Sequence, residues 1–172
     1  MIEMKYRTRA ATRARLFGAT LVLLSAGACA ASDPTSVEPP EQDADLQVML
    51  TLAIQDEYRA EAIYEGVTAD FGPVSPFSNI IAAEVRHSSA LATLFAARGW
   101  DVPESTSTLA NVPHFGSVGA ACAAGVEAEI DNAGLYDELM TPGLPADVAT
   151  VFANNQAASL ERHLPAFQRC AY

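Results

Sequence analysis

Residues 79–91 read NIIAAEVRHSSAL and place two ionisable side chains, Glu84 and His87, three positions apart in a largely apolar run. A helix with about 3.6 residues per turn carries side chains three and four apart on one face. Both residues fall in a series spaced alternately four and three apart, which predicts that their face lies against the core of a helical bundle: Ile80, Glu84, His87, Leu91 and Leu94. Because ionisable groups are costly to bury alone, the pattern indicates charged partners or a metal ion.

The first 30 residues differ in composition from the rest. Basic residues precede an apolar run over residues 16–28 that is too short to span a bilayer comfortably, and small residues follow it. This is typical of an export signal, so we expect a secreted, cell-surface or periplasmic protein. Ala28-Cys29-Ala30 fits ordinary signal cleavage, whereas residues 26–29 form a loose lipobox that would leave Cys29 as a lipidated N-terminus, and both interpretations stay open. Residues 31–44 carry three prolines and are typical of a flexible tether.

Removal of the signal would change the charge of the chain. It would take away five of the ten basic residues and one of the 21 acidic residues, which leaves five arginines, twenty carboxylates and a net charge near −15. This charge argues against binding to nucleic acid, and against membrane association other than through a lipid anchor at Cys29. An acidic surface suits a protein that attracts cations, and it equally suits one that only has to stay soluble.

Residues 45–172 are expected to form one all-α domain. Helical periodicity covers residues 45–71, 77–98, 117–139 and 146–170, and the first and last pairs are separated by short segments rich in glycine and proline. Residues 99–116 have no clear period and are long enough to run the length of a helix. These features predict a four-helix bundle with one long crossover between helices 2 and 3. Pro165 is expected to kink the last helix.

Each predicted helix places ionisable residues on its inner face. They are Glu57 on the first helix, Glu84 and His87 on the second, Glu129 on the third and His163 on the fourth. Three carboxylates and two imidazoles in one core are unfavourable unless cations neutralise them. Mixed carboxylate and imidazole ligands favour transition metals over calcium. We therefore predict a site for one or two ions, with iron as the first choice and manganese or zinc as alternatives.

Four segments resemble a known family. They are Asp56–Ala60, Pro76–Ile80 with Glu84 and His87, Ala124–Glu129, and Ser159–Phe167. Together they look like a prokaryotic branch of the ferritin-like superfamily that is catalogued as domain of unknown function 2202. The resemblance covers about residues 45–170, and it implies the ligand plan of di-iron and di-manganese bundles, one Glu from each of two helices and Glu-x-x-His from each of the other two.

The fourth helix departs from this plan. Leu160 stands three residues before His163, where the plan has a glutamate, and Glu161 is expected to point away from the core unless the Pro165 kink distorts the turn. The sequence therefore leaves open an asymmetric or single-ion centre, a site completed by Glu61 or water, and a cluster that binds nothing.

Several other residues carry expectations. Cys122 and Cys170 each lie seven residues from a predicted ligand, in the same direction along antiparallel helices, so a disulfide between them is predicted. Gly125 indicates either a close approach between helices or room for a ligand. The remaining expectations concern residues outside the ligand set. Gln156 and Ser159 are placed on the inner face of helix 4, and His114 is placed in the crossover as a surface or loop-packing residue. The aromatics Tyr64, Tyr136 and Trp100 are expected to pack in the core, with support of the ligands or a redox role as the alternative.

Three functions are compatible with this pattern. The first is an iron-dependent oxidoreductase that uses oxygen or peroxide. The second is a protein that binds and sequesters metal without catalysis. The third is a structural or interaction bundle without metal. The sequence does not decide whether the protein is an enzyme, and it names no substrate, redox partner or oligomeric state.

Overall fold

A computed structural model describes residues 41–171 as helices and connecting loops, with no strand in that range. The predicted signal peptide, Cys29 and residues 31–40 of the predicted tether lie outside the described residues. The helices are α1 (Glu41–Phe71), α2 (Phe77–Ala97), α3 (Val118–Leu139), α4 (Ala146–Ala158), a π-helical turn (Ser159–His163) and α5 (Leu164–Cys170). The last three segments follow one another without a gap and form the fourth helix of the fold.

α1 begins four residues earlier than residue 45, where the sequence pattern starts. Asp43 and Asp45 lie in its first turns. Carboxylates stabilise the positive N-terminal end of a helix. The apolar period does not record this charge preference, which favours the earlier start.

Two apolar clusters fix the directions of the helices. The Leu50 cluster joins the start of α1 to the end of α2, the end of α3 and the start of α4, and it includes Leu50, Phe95, Leu139 and Phe152. The Phe167 cluster joins the opposite ends and includes Val67, Phe77, Cys122 and Phe167. α1 and the fourth helix therefore run in one direction, and α2 and α3 run in the other. Each of these clusters buries its large side chains almost completely.

The connection between α2 and α3 is a crossover, as the sequence predicts. The side chain of Gln55 donates to the backbone oxygen of Glu104 and accepts from the backbone N–H of Thr106, at 2.8 and 3.0 Å. Further along the loop, Nδ1 of His114 lies 2.7 Å from Oδ2 of Asp70, near the end of α1. The loop thus follows α1 toward its C-terminal end, where α3 begins. His114 is an exposed surface residue, which confirms its placement in the crossover.

The π-helical turn sets the register of the fourth helix. The backbone N–H of Leu164 donates to the carbonyl of Ser159, five residues back, so this turn holds one residue more than an α-helical turn. The next residue, Pro165, has no N–H to donate, which is consistent with an irregular turn immediately before it. The irregularity next to Pro165 thus takes the form of a widened turn, and the predicted kink stays a prediction.

Within residues 41–171, no helix has the combination of length and apolar character that crossing a membrane requires.

Candidate metal centre

The five predicted ligand side chains meet between the Leu50 and Phe167 clusters. Glu57, Glu84, Glu129 and His163 are each less than 5% exposed. The side chain of His87 is 12% exposed. Each of these side chains lies on the inner face that the helical period predicts. Four separate segments of the chain therefore place these groups at one level of the fold.

One half of the centre consists of Glu57, Glu84 and His87. The Nδ1 atom of His87 lies 3.0 Å from Glu84 Oε2 and 3.3 Å from Glu57 Oε2. One candidate ligand atom from each of the three residues lies within 4.8 Å of the others. The group thus offers two carboxylate oxygens and one ring nitrogen to a common point, a donor set that suits a transition-metal ion.

The other half consists of Glu84, Glu129 and His163. Here the Nδ1 atom of His163 lies 3.1 Å from Glu84 Oε1 and 3.4 Å from Glu129 Oε2. Glu84 therefore turns one oxygen toward each histidine and belongs to both groups. The two imidazole rings are stacked, with their centroids 5.5 Å apart and an angle of 24° between their planes. We call the two groups half-sites, with Glu84 as their shared carboxylate.

Two atoms at the middle of this arrangement have no hydrogen-bond partner. They are Glu84 Oε1 and His163 Nδ1, both buried, which face each other at 3.1 Å without the geometry of a hydrogen bond. A buried polar atom without a partner costs roughly 1–3 kcal/mol. Both are atoms that coordinate metals, so a cation between them would satisfy both; without a cation they meet as an ion pair when His163 is protonated.

Buried tyrosines hold the two outer carboxylates. The hydroxyl of Tyr64 donates to Glu129 Oε1 at 2.7 Å, and the hydroxyl of Tyr136 donates to Glu57 Oε1. Each tyrosine comes from the helix that carries the other carboxylate, so the two contacts are reciprocal between α1 and α3. The expectation that these rings pack in the core is confirmed. Their hydroxyl contacts agree with the alternative that these tyrosines support the ligands, although a helical period shows only which residues face inward and not which atom a hydroxyl will reach.

Two asparagines complete the support around Glu57. Asn132 donates to Asp56 at 2.8 Å, and Asn155 donates to the Tyr136 hydroxyl at 2.9 Å. Asn155 is buried, whereas Gln156, which the sequence placed on the inner face, reaches the edge of α3 and bonds the backbone oxygen of Ala133. The inward residue at this turn of α4 is therefore Asn155, and the placement of Gln156 is wrong by one residue.

Electrostatic forces in the centre oppose one another. Burial lowers the pKa of His87, but the neighbouring carboxylates of Glu57 and Glu84 outweigh it and raise that pKa to about 9. The pKa of His163 also rises to about 9, because Glu129 and Glu84 outweigh burial there too. Burial raises the pKa of Glu57. For Glu84, burial acts in the same upward direction, but contacts with both histidines leave its pKa below the ordinary value.

Arginine side chains do not neutralise this cluster. Among residues 41–171, the only basic groups in ion-pair contact with the three buried glutamates are the two histidines. This agrees with the sequence, which places Arg59, Arg86 and Arg162 off the inner faces, and all three are exposed. The cluster therefore carries three carboxylates against at most two imidazolium charges.

The structure also locates the residues that could have completed the ligand plan. Leu160 is 44% exposed, and Glu161 is exposed as well, so neither side chain faces the centre. Glu61 lies near Ser105 and Ser107 of the crossover and belongs to neither half-site. Ser159, which the period places on the inner face, is buried one turn before His163, and its hydroxyl donates to Asn132 Oδ1 at 2.7 Å.

The remaining predictions around the centre have clear outcomes. Cys122 and Cys170 lie at disulfide distance, with Cα atoms 5.7 Å apart, as expected. A Cβ atom on Gly125 would lie 2.7 Å from the Phe167 ring, so this glycine permits a close approach of α3 and α5 and does not make room for a ligand. Trp100 packs against Phe95, with ring centroids 6.3 Å apart.

Comparisons of the chain with protein-family models, with curated proteins and with solved structures found no match. The resemblance to the ferritin-like branch therefore stays a prediction, and the site is interpreted from its own geometry.

Proposed function

We propose that the protein is an exported ferritin-like bundle that binds transition-metal ions, with iron as the preferred ion, at the two half-sites that share Glu84. The observation that carries the proposal is the pair of buried, unpartnered ligand atoms, Glu84 Oε1 and His163 Nδ1. Export rests on the basic and apolar composition of residues 1–30, and the family assignment rests on the sequence resemblance and on the matching helix order.

The donor set supports this choice of metal. Each half-site offers two carboxylates and one imidazole, a combination that suits iron, manganese or zinc and leaves coordination positions for water or a small oxidant. Next to Glu84 and Glu129 lies a cavity of about 10 Å³, which is room for about one water molecule. This favours molecules of the size of oxygen or peroxide over an organic substrate on that side of the centre.

For its activity, we propose metal-centred oxidation with oxygen or peroxide as the co-substrate. Bound iron would supply the redox change, and the protein would hold the ion and exclude bulk water. Four of the candidate ligands are buried, which would keep the ion in place and keep bulk water away from it: Glu57, Glu84, Glu129 and His163. Tyr64 and Tyr136 would keep the outer carboxylates oriented through their hydroxyl contacts.

A second candidate is metal sequestration without catalysis. It is favoured by Leu160, which stands where the ligand plan has a glutamate; because Leu160 and Glu161 are both exposed, the fourth helix brings no second shared carboxylate to the centre. With one shared carboxylate, the centre has a smaller negative charge than a centre with two, and it binds a second ion more weakly. Turnover separates the candidates, because only the oxidoreductase consumes oxygen or peroxide repeatedly with ferrous ion.

The test is elemental analysis of protein purified from its native compartment, beside a Glu84→Ala, His87→Ala double variant. The matched control is the double variant Glu127→Ala, His114→Ala, which removes the same two residue types from the surface. We expect bound metal in the wild type and in the control, and its loss in the first variant. Wild-type protein without metal, and without affinity for added ferrous ion, would favour the structural bundle and refute the proposal.

A further inference from the structure

A groove between α2 and the fourth helix reaches the centre at its two histidines. Its volume is about 440 Å³, and both His87 and His163 contribute to its lining. The walls are formed by the exposed edges of the two helices, and small alanine side chains lie between them. The groove is therefore the open approach by which a molecule larger than water can come next to the two imidazoles.

Arginine is concentrated in this groove. Arg86 lines one wall, and Arg162 and Arg169 line the other. They are three of the five arginines in residues 31–172, a range that contains no lysine. No aspartate or glutamate lines the groove, although the same range contains twenty of them. Such a separation of charge on an acidic protein makes the potential in this groove more positive than on the carboxylate-bearing surface around it.

These arginines have no partner within the part of the chain that the structure describes. The ion pairs formed there by arginines involve only Arg59 and Arg98, which bind Asp56 and Asp147. Arg86 and Arg162 are each adjacent in sequence to a histidine of the centre, so they stand at the level of the half-sites. Arg169 lies seven residues, about 10 Å, further along the fourth helix. Guanidinium groups in such positions are suited to forked contacts with carboxylate or phosphate oxygens.

We propose that this groove is a binding site for a small oxyanion with at least two negative charges, held by Arg86, Arg162 and Arg169 beside the two imidazoles. The start of α2 adds charge of the same sign, since the first turn of this helix has no acidic residue and its dipole is positive there. Residues Ser75, Pro76 and Asn79 from this end line the groove. Phosphate and a small polycarboxylate share the required chemistry.

The experiment is calorimetric titration of the full chain with inorganic phosphate and, separately, with citrate. Acetate serves as the monovalent comparison. We expect saturable binding of one polyvalent anion per chain, and a loss of about tenfold in affinity when Arg86→Gln or Arg162→Gln removes one charged contact. Arg59→Gln removes the same charge from another face and should change affinity by less than about twofold. The stronger of the two anions identifies the source chemistry.

Two results would overturn the proposal. One is the absence of saturable binding of either anion to the folded wild-type chain. The other is an equal loss in Arg59→Gln and in the groove variants, because this would show a general charge effect. Circular dichroism of each variant shows that the fold is kept. The proposal does not rest on metal binding: Glu84→Gln removes the carboxylate that the half-sites share and should still bind the anion, so the two proposals fail separately.

Discussion

Glu84→Gln is the substitution that tests the centre most directly. Glu84 contacts both histidines, and glutamine preserves its shape while removing the negative charge. The pKa of each histidine is raised from 6.5 to about 9 by two carboxylates, of which Glu84 is one. A pKa unit corresponds to about 1.36 kcal/mol, so if Glu84 supplies half of each rise, its loss costs about 1.7 kcal/mol per imidazole and about 3 kcal/mol in total.

The dependence on pH gives this prediction its sign. Because the folded pKa of both histidines is raised, their stabilising contribution is fully present below pH 6.5 and is lost as the pH rises through about 9. The cost of Glu84→Gln in metal-free protein should therefore be about 3 kcal/mol at pH 6 and should largely disappear above pH 9. Urea unfolding at the two pH values measures it, with Glu127→Gln on the surface of α3 as the matched control.

The same variant separates a metal site from a network of ion pairs. If the half-sites bind iron, ferrous ion raises the melting temperature of the wild type, and Glu84→Gln loses most of that increase because both half-sites lose a ligand. If the five groups serve only as ion pairs, metal leaves both melting temperatures unchanged. A cost at pH 6 no greater than that of Glu127→Gln would contradict the reasoning about the buried cluster itself.

Three further predictions follow from other parts of the structure. Gly125→Ala should be less stable than Gly134→Ala by about 1–3 kcal/mol in urea unfolding, since both gain helix propensity but only the first forces a Cβ against the Phe167 ring. Binding of each ion at pH 7 should release about one proton, because an imidazole with a pKa of about 9 is protonated there. Calorimetry in buffers of different ionisation enthalpy measures this release. Ion binding without proton release would contradict the raised pKa of the two histidines. Leu160→Glu should leave metal content and affinity unchanged in elemental analysis and titration, because this position is exposed, and a gain of an ion would show that the turn rearranges.

The helices and the five candidate ligands were accessible from the sequence for one physical reason. A residue on the inner face of a long regular helix is placed by its spacing alone, because a bundle buries one stripe of each helix. Four of the five lie in regular α-helix, where the spacing of inward residues stays the same along the helix: Glu57, Glu84, His87 and Glu129. Their burial and common level confirm the placement.

The fourth helix shows where that reasoning ends. The period places Ser159 on the inner face, where it is buried, but it does not predict the π-helical turn over Ser159–His163, or that Asn155 and not Gln156 is the inward residue of the preceding turn. Nothing in residues 159–163 distinguishes such a turn from an α-helical one, and only Pro165 signals that the hydrogen bonding will be irregular. The particular partners of the Tyr64 and Tyr136 hydroxyls could not be predicted either, since they depend on the relative height of α1 and α3 after packing.

Charge balance in the core connects the half-sites with the groove. With both imidazoles protonated, the cluster carries three negative and two positive charges, a net charge of −1. Replacing one proton by a first divalent ion changes that value to 0, whereas a second divalent ion, which replaces the other proton, changes it to +1 in a buried site, which is unfavourable without a counter-charge. The second ferrous ion should therefore bind at least about tenfold more weakly than the first, a difference of about 1.4 kcal/mol. An oxyanion beside His87 and His163 would supply that counter-charge, so phosphate should strengthen the second binding step in calorimetric titration and leave the first nearly unchanged. Equal affinities in the absence of any anion would show that charge does not limit the occupancy of this centre.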